Sequence, residues 1–199
     1  MQLINSSFEI LDDVDGVSIL KSIERCGRVC YKSEDKITDN SYQKFVKMLI
    51  DRGHEAMIEH EKVSVRIVCD RGVTHEIVRH RLASYAQEST RYCNYGNTDI
   101  KFIIPSDFEF DQNDIALLKD IEAHYNYCLK IGRKPQQARY FLPNGLKTEI
   151  VMTANLREWR HFFKLRAAKE AHPDMRAIAR PMLEKFKYLI PIVFDDITH

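Results

Sequence analysis

The stretch Arg79–Tyr92 reads Arg79-His80-Arg81-Leu82-Ala83-Ser84-Tyr85-Ala86-Gln87-Glu88-Ser89-Thr90-Arg91-Tyr92. It sets three arginines, a histidine, two serines, a threonine and two tyrosines into fourteen positions. Guanidinium groups grip phosphate bidentately and hydroxyls complete the oxygen shell, so this composition suits an anionic ligand. A solvated helix surface is the competing reading. Glu76, three residues before Arg79 and four before His80, accounts for part of the charge by local helix pairs. Such pairs are worth only about 0.2–0.5 kcal/mol each and leave Ser84, Ser89 and Arg91 unexplained.

A second basic cluster follows Asn155: Arg157, Arg160, His161, Lys164 and Arg166. Arg160 and Lys164 read as a solvated face. Arg166 stands seven, four and three residues after Trp159, Phe162 and Phe163, which puts it on the aromatic, inward stripe of a helix. A cation there needs an anion or an acceptor to offset its desolvation, and either a structural ion pair or a bound substrate would serve. Arg139, beside Ala138 and Leu142, makes the same demand on a third segment. Three separate segments, each with an arginine expected to be semi-buried, favour a phosphate-bearing ligand over three unrelated salt bridges.

Other chemistries find no support. Gly53-His54-Glu55-Ala56-Met57-Ile58-Glu59-His60 superficially resembles a zinc motif, but His54 and His60 are six residues apart rather than four. No metal is expected. With seven glycines the chain has neither a Gly-x-Gly-x-x-Gly nor a Walker loop, so phosphate recognition must use side chains and helix ends. There is no Gly-x-Ser-x-Gly elbow and no zinc-deaminase signature.

The elements that position these residues follow from periodicity. Met1–Leu11 is expected as one edge strand. A helix opens at Asp15-Gly16, with Val17, Leu20 and Ile23 at helical spacing, and a second follows Thr38–Ser41 and ends at Gly53. Val63, Val65, Ile67 and Cys69 alternate as a half-buried strand. Asp70-Arg71-Gly72 reads as a turn, then Val73, Ile77, Val78 and Leu82 as one helical stripe, with irregular chain from Ser84. Lys101–Pro105 reads as extended. Asp111 caps a long helix to about Ile131 with Ile115, Leu118, Ile121, Tyr125 and Leu129 inward, and Lys134-Pro135 starts a shorter one. Thr148–Thr153 is strand-like, Leu156 to about Ala168 helical, and Pro173 opens a last helix. The expected architecture is a single α+β domain, residues 1–199.

Composition agrees. The chain has 199 residues, 44% of them hydrophobic and 30% charged, with 30 basic residues against 29 acidic and a net charge of +1. A dedicated nucleic-acid binder carries a clear basic excess, so that class is disfavoured. Neither an export signal nor a membrane-spanning apolar run is visible. Five cysteines, without a Cys-x-x-Cys pair, read as free thiols of a reduced cytoplasmic protein.

These residues together resemble a known family. Arg79-His80-Arg81, seven intervening residues, then Ser89 and Arg91 is similar to the signature of the flavin-dependent thymidylate synthases. Gly53-His54-Glu55 with Glu59-His60, Ala138-Arg139 with Leu142-Pro143, and Asn155 through Leu165-Arg166 resemble the family's other blocks, in the same order. Three places depart from the family pattern. Ala86-Gln87 stands where many members have Asn-Glu, Glu76 where glutamine is frequent, and Ala56 where a hydroxyl residue is frequent.

The resemblance implies a small, mostly antiparallel sheet packed by helices, and a homotetramer with active sites shared between subunits. It implies FAD as cofactor, with NADPH and methylenetetrahydrofolate as co-substrates in the conversion of dUMP to dTMP without a protein nucleophile. FAD would be contacted by His54, Arg79, His80, Arg81, Gln87, Asn155, Leu156, Arg157 and His161. The nucleotide would be held by Glu76, Ile77, Val78, Arg79, Gln87, Glu88, Ser89, Thr90, Arg91 and Arg139, with Ser89 and Arg91 supplied by a neighbouring subunit near its phosphate. Arg166, the catalytic residue, would meet the uracil ring. The competing classes are a non-catalytic nucleic-acid or nucleotide-binding module, and a structural oligomer whose basic clusters only join subunits.

Overall fold

The amino-terminal residues, expected as one edge strand, form two, β1 (Gln2–Ile4) and β2 (Ser7–Ile10). Asn5 and Ser6 separate them, residue types that favour local turns over ladder pairing. The computed structural model describes residues 1–199. Asp15 caps α1 (Gly16–Val29), its carboxylate accepting from the amides of Val17 and Ser18 at 3.0 and 3.2 Å. α2 (Ser41–Asp51) ends where Gly53 adopts φ +68°, a left-handed conformation that glycine reaches without steric cost. A 3-10 segment, Glu55–His60, leads into β3 (Lys62–Asp70).

The expected turn at Asp70-Arg71-Gly72 is instead a helix start. Asp70 is the N-cap of α3 (Arg71–Ile77), accepting from the Val73 amide at 2.9 Å. This helix stops before Val78, so Val78 and Leu82 do not extend its apolar stripe, and Leu82 is 72% exposed. Ser84, expected in irregular chain, belongs to β4 (Ala83–Gln87). The reason is non-local: the Glu88 amide donates to the Glu149 carbonyl at 2.9 Å, and no local pattern reveals a partner strand so far along the chain.

After β5 (Lys101–Ile103) comes α4 (Gln112–Lys130), opened by a reciprocal capping box between Asp111 and Asp114. α5 (Pro135–Ala138) continues into a 3-10 turn, Arg139–Phe141. Then follow β6 (Lys147–Asn155), α6 (Leu156–Arg166) and α7 (Pro173–Leu189). The strands form a two-stranded sheet, β1-β5, and a four-stranded sheet in the order β2-β3-β6-β4. β1 and β5 pair in parallel, Leu3 opposite Phe102, a departure from a purely antiparallel plan. In β3 and β6, Ser64 meets Thr153 while Arg66 faces Glu149, the opposed numbering of an antiparallel pair.

The chain resolves into two compact units. Unit 1 comprises Met1–Phe8, Arg66–Arg79 and Tyr85–Val151. Its core holds Ile100, Phe102, Leu118, Tyr125, Cys128, Ala138 and Leu146, with Ile121 and Leu129 packed against them. Unit 2 comprises Glu9–Val65, His80–Ser84 and Met152–His199. Trp159, Phe162, Phe163, Phe186 and Phe194 pack there with ring centroids 5.0–5.8 Å apart, and the Trp159 Nε1–H donates to the Val63 carbonyl at 2.9 Å. Aromatic pairing of this kind adds about 0.5–1.5 kcal/mol per pair beyond area burial. No helix is long and apolar enough to cross a membrane.

Candidate active site

α6 places its functional residues by a cap and a period. Asn155 accepts the Glu158 amide on Oδ1 at 2.8 Å, which fixes the first turn. From there Glu158, Trp159, Arg160, Phe162 and Phe163 are buried, and Arg166 comes to the last turn half-buried. Arg166 Nε donates to His80 Nε2 at 3.1 Å, and His80 Nδ1 lies 3.1 Å from Glu158 Oε1. An acceptor that the sequence demanded for Arg166 is therefore an imidazole.

The charge state of this trio follows from burial. His80 is 3% exposed, and its pKa is pushed down to about 4, first by burial and then by the charges of Arg166 and His161. Burial also raises the Glu158 carboxyl, with His161 pulling the other way. The His80–Glu158 contact is thus a hydrogen bond from a neutral imidazole rather than an ion pair. The His80 ring packs on Phe162 and His161 at centroid distances of 5.0 and 5.3 Å.

Glu158 and His161 also line a cavity of about 560 Å³, together with Glu55, Glu59, Leu82, Asn155, Arg157 and Lys164. This volume is within the range of cofactor pockets. Its carboxylates have partners: Glu59 accepts from Arg157 at 2.5 Å and Glu55 from Arg160 at 3.0 Å. Lys164 Nζ also lies 3.6 Å from Glu55, so the cations Arg157 and Lys164 are shared with carboxylates, and the N-terminus of α6 and His161 add the donors suited to an anionic group. A nucleotide cofactor carrying phosphates fits this chemistry.

Arg160 and Lys164 were both expected on a solvated face. Lys164 is half exposed, but Arg160 is 2% exposed. Its guanidinium binds Asp196 at 2.6 and 2.8 Å, the Val193 carbonyl and Glu55, so the carboxyl-terminal segment covers it. These partners are 33, 36 and 105 residues away, out of reach of helical periodicity. His54 and His60 are both exposed, before and at the end of the 3-10 segment. Leu156 is buried, its amide bonded to the Glu61 carbonyl, and Arg81 is exposed.

The remaining candidates lie in unit 1. Glu76, Ile77, Val78 and Arg79 close α3; Arg79 is exposed, with Nε donating to the His75 carbonyl at 3.2 Å. The Ile77 carbonyl accepts from the Tyr85 hydroxyl at 2.9 Å. Gln87 Nε2 donates to Thr74 Oγ1 and Thr148 Oγ1 at 3.1 and 3.3 Å. Glu88 accepts from the Tyr95 hydroxyl at 2.7 Å and from Lys147 Nζ at 3.0 Å, and Lys147 also reaches Glu149 at 2.5 Å. Burial works against the Lys147 charge, but its bonds to Glu149 and Glu88 outweigh this and raise its pKa.

Ser89 holds the loop through its carbonyl, which accepts the Tyr92 and Cys93 amides, and through its hydroxyl, which accepts the Arg91 amide. Arg139, expected on an apolar face, is exposed and donates to Thr90 Oγ1 at 3.0 Å. A cavity of about 490 Å³ is lined by Arg66, Ala86, Gln87, Glu88, Cys93, Lys147, Glu149 and Val151.

The structure thus sorts the candidates. His54, His80, Arg81, Asn155, Leu156, Arg157, His161 and Arg166 belong to unit 2, and Glu76–Arg79, Gln87–Arg91 and Arg139 to unit 1. Sequence reasoning missed Glu158, Thr74, Tyr95, Lys147, Thr148 and Asp196. Glu158 alone left a signal: it is the single acid in the basic cluster, three residues after a capping Asn.

The model of the family described as "Thymidylate synthase complementing protein" matches residues 17–192. Similar chains include the flavin-dependent thymidylate synthase of Corynebacterium efficiens, 33% identical over 92% of this chain and 82% of the relative. That of Pyrococcus horikoshii is 37% identical over 80% and 70%, and that of Mycobacterium tuberculosis 34% over 92% and 81%. Among solved structures, the UMP/dUMP methylase PolB of Streptomyces cacaoi, bound with 5-Br dUMP, superposes with a TM-score of 0.77 at 21% identity, covering 98% of this chain and 96% of that one. This last likeness is one of fold. By the family model and by relatives aligned over most of both chains, this chain belongs to the flavin-dependent thymidylate synthase family.

Proposed function

We propose that the protein converts dUMP to dTMP by reductive methylation, with FAD as cofactor, methylenetetrahydrofolate as one-carbon donor and NADPH as reductant. The observation that carries this reading is the Arg166 guanidinium bonded to His80, which is bonded in turn to Glu158, a residue lining a cavity whose donors suit a phosphate-bearing cofactor. The names of the aligned relatives support it, as does the fold shared with a UMP/dUMP methylase.

Asn155, Leu156, Arg157 and His161, with His54, His80 and Arg81, would hold FAD, joined by Arg79 and Gln87. When bound and reduced, FAD supplies the hydride equivalent for methylation. Arg166 cannot act as a base near pH 7, because a guanidinium does not release its proton there. Placed against the N3/O2 edge of uracil, its fixed charge stabilises negative charge developing in the ring, so the pyrimidine serves as the nucleophile. No protein nucleophile is then required. Cys69 agrees with this, since burial raises its thiol pKa far above the range of a reactive thiolate.

Glu76, Ile77, Val78, Arg79, Gln87, Glu88, Thr90 and Arg139 hold the nucleotide, with Ser89 and Arg91 of a neighbouring subunit at its phosphate. The working form is a cytoplasmic homotetramer of single-domain chains, without nucleic-acid or membrane partners. Purified protein is expected to show flavin absorbance that bleaches on anaerobic addition of NADPH, and to form dTMP when dUMP and methylenetetrahydrofolate are present. A colourless protein that takes up no FAD would overturn the reading.

A further inference from the structure

We propose that Glu158 is a positioning residue for Arg166, acting through the tautomer of His80. The proposal deepens the functional reading above and rests on it for the role of Arg166.

The direction of each hydrogen bond is fixed from both ends. A guanidinium Nε–H is only ever a donor, so His80 Nε2 must present its lone pair to Arg166. The proton of the neutral imidazole is then on Nδ1, and that nitrogen faces Glu158 Oε1 at 3.1 Å. An ionised carboxylate only accepts, so the two requirements select one tautomer together. His80 and Glu158 are 3% and 6% exposed, so bulk water is a poor substitute for either partner.

The support continues backwards along α6. Glu158 is itself set by its amide bond to Asn155, and the imidazole packs against Phe162 and His161. A cap at one end of the helix is thereby linked through two side chains to the guanidinium at the other end. The contact to Arg166 uses Nε, at the base of the guanidinium, and so constrains how the group is oriented. Outer partners of this kind orient a working group, and their loss typically costs about 10- to 100-fold in activity.

His80, Glu158 and His161 also bring three ligand-capable atoms within 4.8 Å of one another. A metal on His80 would break the arrangement whichever nitrogen it used. On Nε2 it takes the lone pair that Arg166 needs, and on Nδ1 it leaves the proton on Nε2, facing the Arg166 N–H. The donor pattern therefore favours the relay over a metal site.

Nitrogen-15 NMR of the histidine rings, at neutral pH on the full chain, tests the geometry without any turnover. The expected spectrum has His80 protonated on Nδ1 with a pyridine-like Nε2; an Nε2–H tautomer overturns the proposal. In kinetics, Glu158→Leu is expected to lower kcat about 10- to 100-fold while the protein keeps its flavin. Glu158→Gln, which retains an acceptor for Nδ1–H, is expected to recover most of that loss. If Arg166→Ala abolishes turnover while Glu158→Leu leaves kcat unchanged, the positioning role alone falls. If Arg166→Ala keeps full turnover, it is the functional reading of Arg166 that fails. Should Glu158→Leu not fold, the wild-type tautomer and the rate of Glu158→Gln still decide: an Nδ1–H tautomer with near wild-type turnover supports the relay, and the opposite tautomer removes it.

Discussion

In unit 2, His80 and Glu158 are almost wholly buried and meet through one hydrogen bond from the neutral imidazole, whose other nitrogen presents its lone pair to Arg166. In unit 1, Glu88 and Lys147 are each 16% exposed and meet as ions, with Tyr95 and Glu149 sharing the same charges. The first arrangement has one permitted donor-acceptor pattern and little exposure through which water could replace a lost partner. The second is a network in which an ammonium with three donors can trade partners at small cost. Burial thus separates a rigid mount from an adjustable one. The difference suits the proposed roles, because a charge aimed at a reacting ring must be preorganised, while a loop gripping a phosphate tolerates some movement.

Breaking the rigid side should give the largest effect. Arg166→Ala is expected to lower dTMP formation by about 10²–10³-fold, the scale for losing one preorganised electrostatic group, with the visible flavin spectrum retained. Full activity in that variant would remove the distinction between the two regions. Next comes Arg160→Ala. It strips the buried cation from Asp196, Glu55 and the Val193 carbonyl, and is expected to lower unfolding stability by about 2–3 kcal/mol in urea titrations. That is below the cost for a fully buried pair, because Asp196 is nearly half exposed. A loss of a few tenths would mean that the carboxyl-terminal clamp contributes little.

The pH dependence sharpens the comparison. His80 has its pKa lowered from 6.5 to about 4, so between these values the unfolded chain binds the extra proton and the folded one does not. Stability therefore falls as pH drops from 6.5 towards 4, and this contribution changes no further below 4. At 1.36 kcal/mol per unit the loss is on the order of 3 kcal/mol. The raised Glu158 carboxyl opposes it, since the folded state takes up that proton first; Arg166 and His161 are the other charged or titratable groups acting here. Denaturation midpoints measured from pH 4 to pH 7 should show the fall, and His80→Gln should flatten it. A profile equally steep in both proteins would rule His80 out as the source.

The smallest effect is expected on the adjustable side. Lys147→Met leaves Glu88 its Tyr95 bond and should raise KM for dUMP several-fold, at a cost of about 1 kcal/mol and with little change in kcat. A collapse of kcat instead would show that unit 1 carries a mount as rigid as that of unit 2.

Much of the site was legible because local periodicity carried it. Trp159, Phe162 and Phe163 marked the inward face of α6, and Arg166, placed on that face by spacing, is half-buried in contact with a buried acceptor. Asp15, Asp111 and Asn155 could be read near helix starts because a cap acts on amides two or three residues away. Asp70 misled because Asp-Arg-Gly serves a turn and a helix start equally well. Arg160 misled because helical spacing shows which residues lie side by side but not which distant segment folds over them. Tyr95, the paired threonines around Gln87 and the bond of Lys147 to Glu88 left no local mark, since each joins partners at least seven residues apart.

Local spacing was enough for most of the helices, the strands at Val63 and Thr148, the inward turn of Arg166 and the family resemblance, all of which depend on neighbours within a turn or two or on motif spacing. Only the tertiary structure decided that the Arg-His-Arg motif divides between units after Arg79, and that His80 turns inward to join Glu158 and Arg166. The same holds for the pairing of β4 in its sheet. The physical reason is common to all three: a buried donor takes its acceptor from whatever the fold brings beside it, here across 78 and 86 residues of chain.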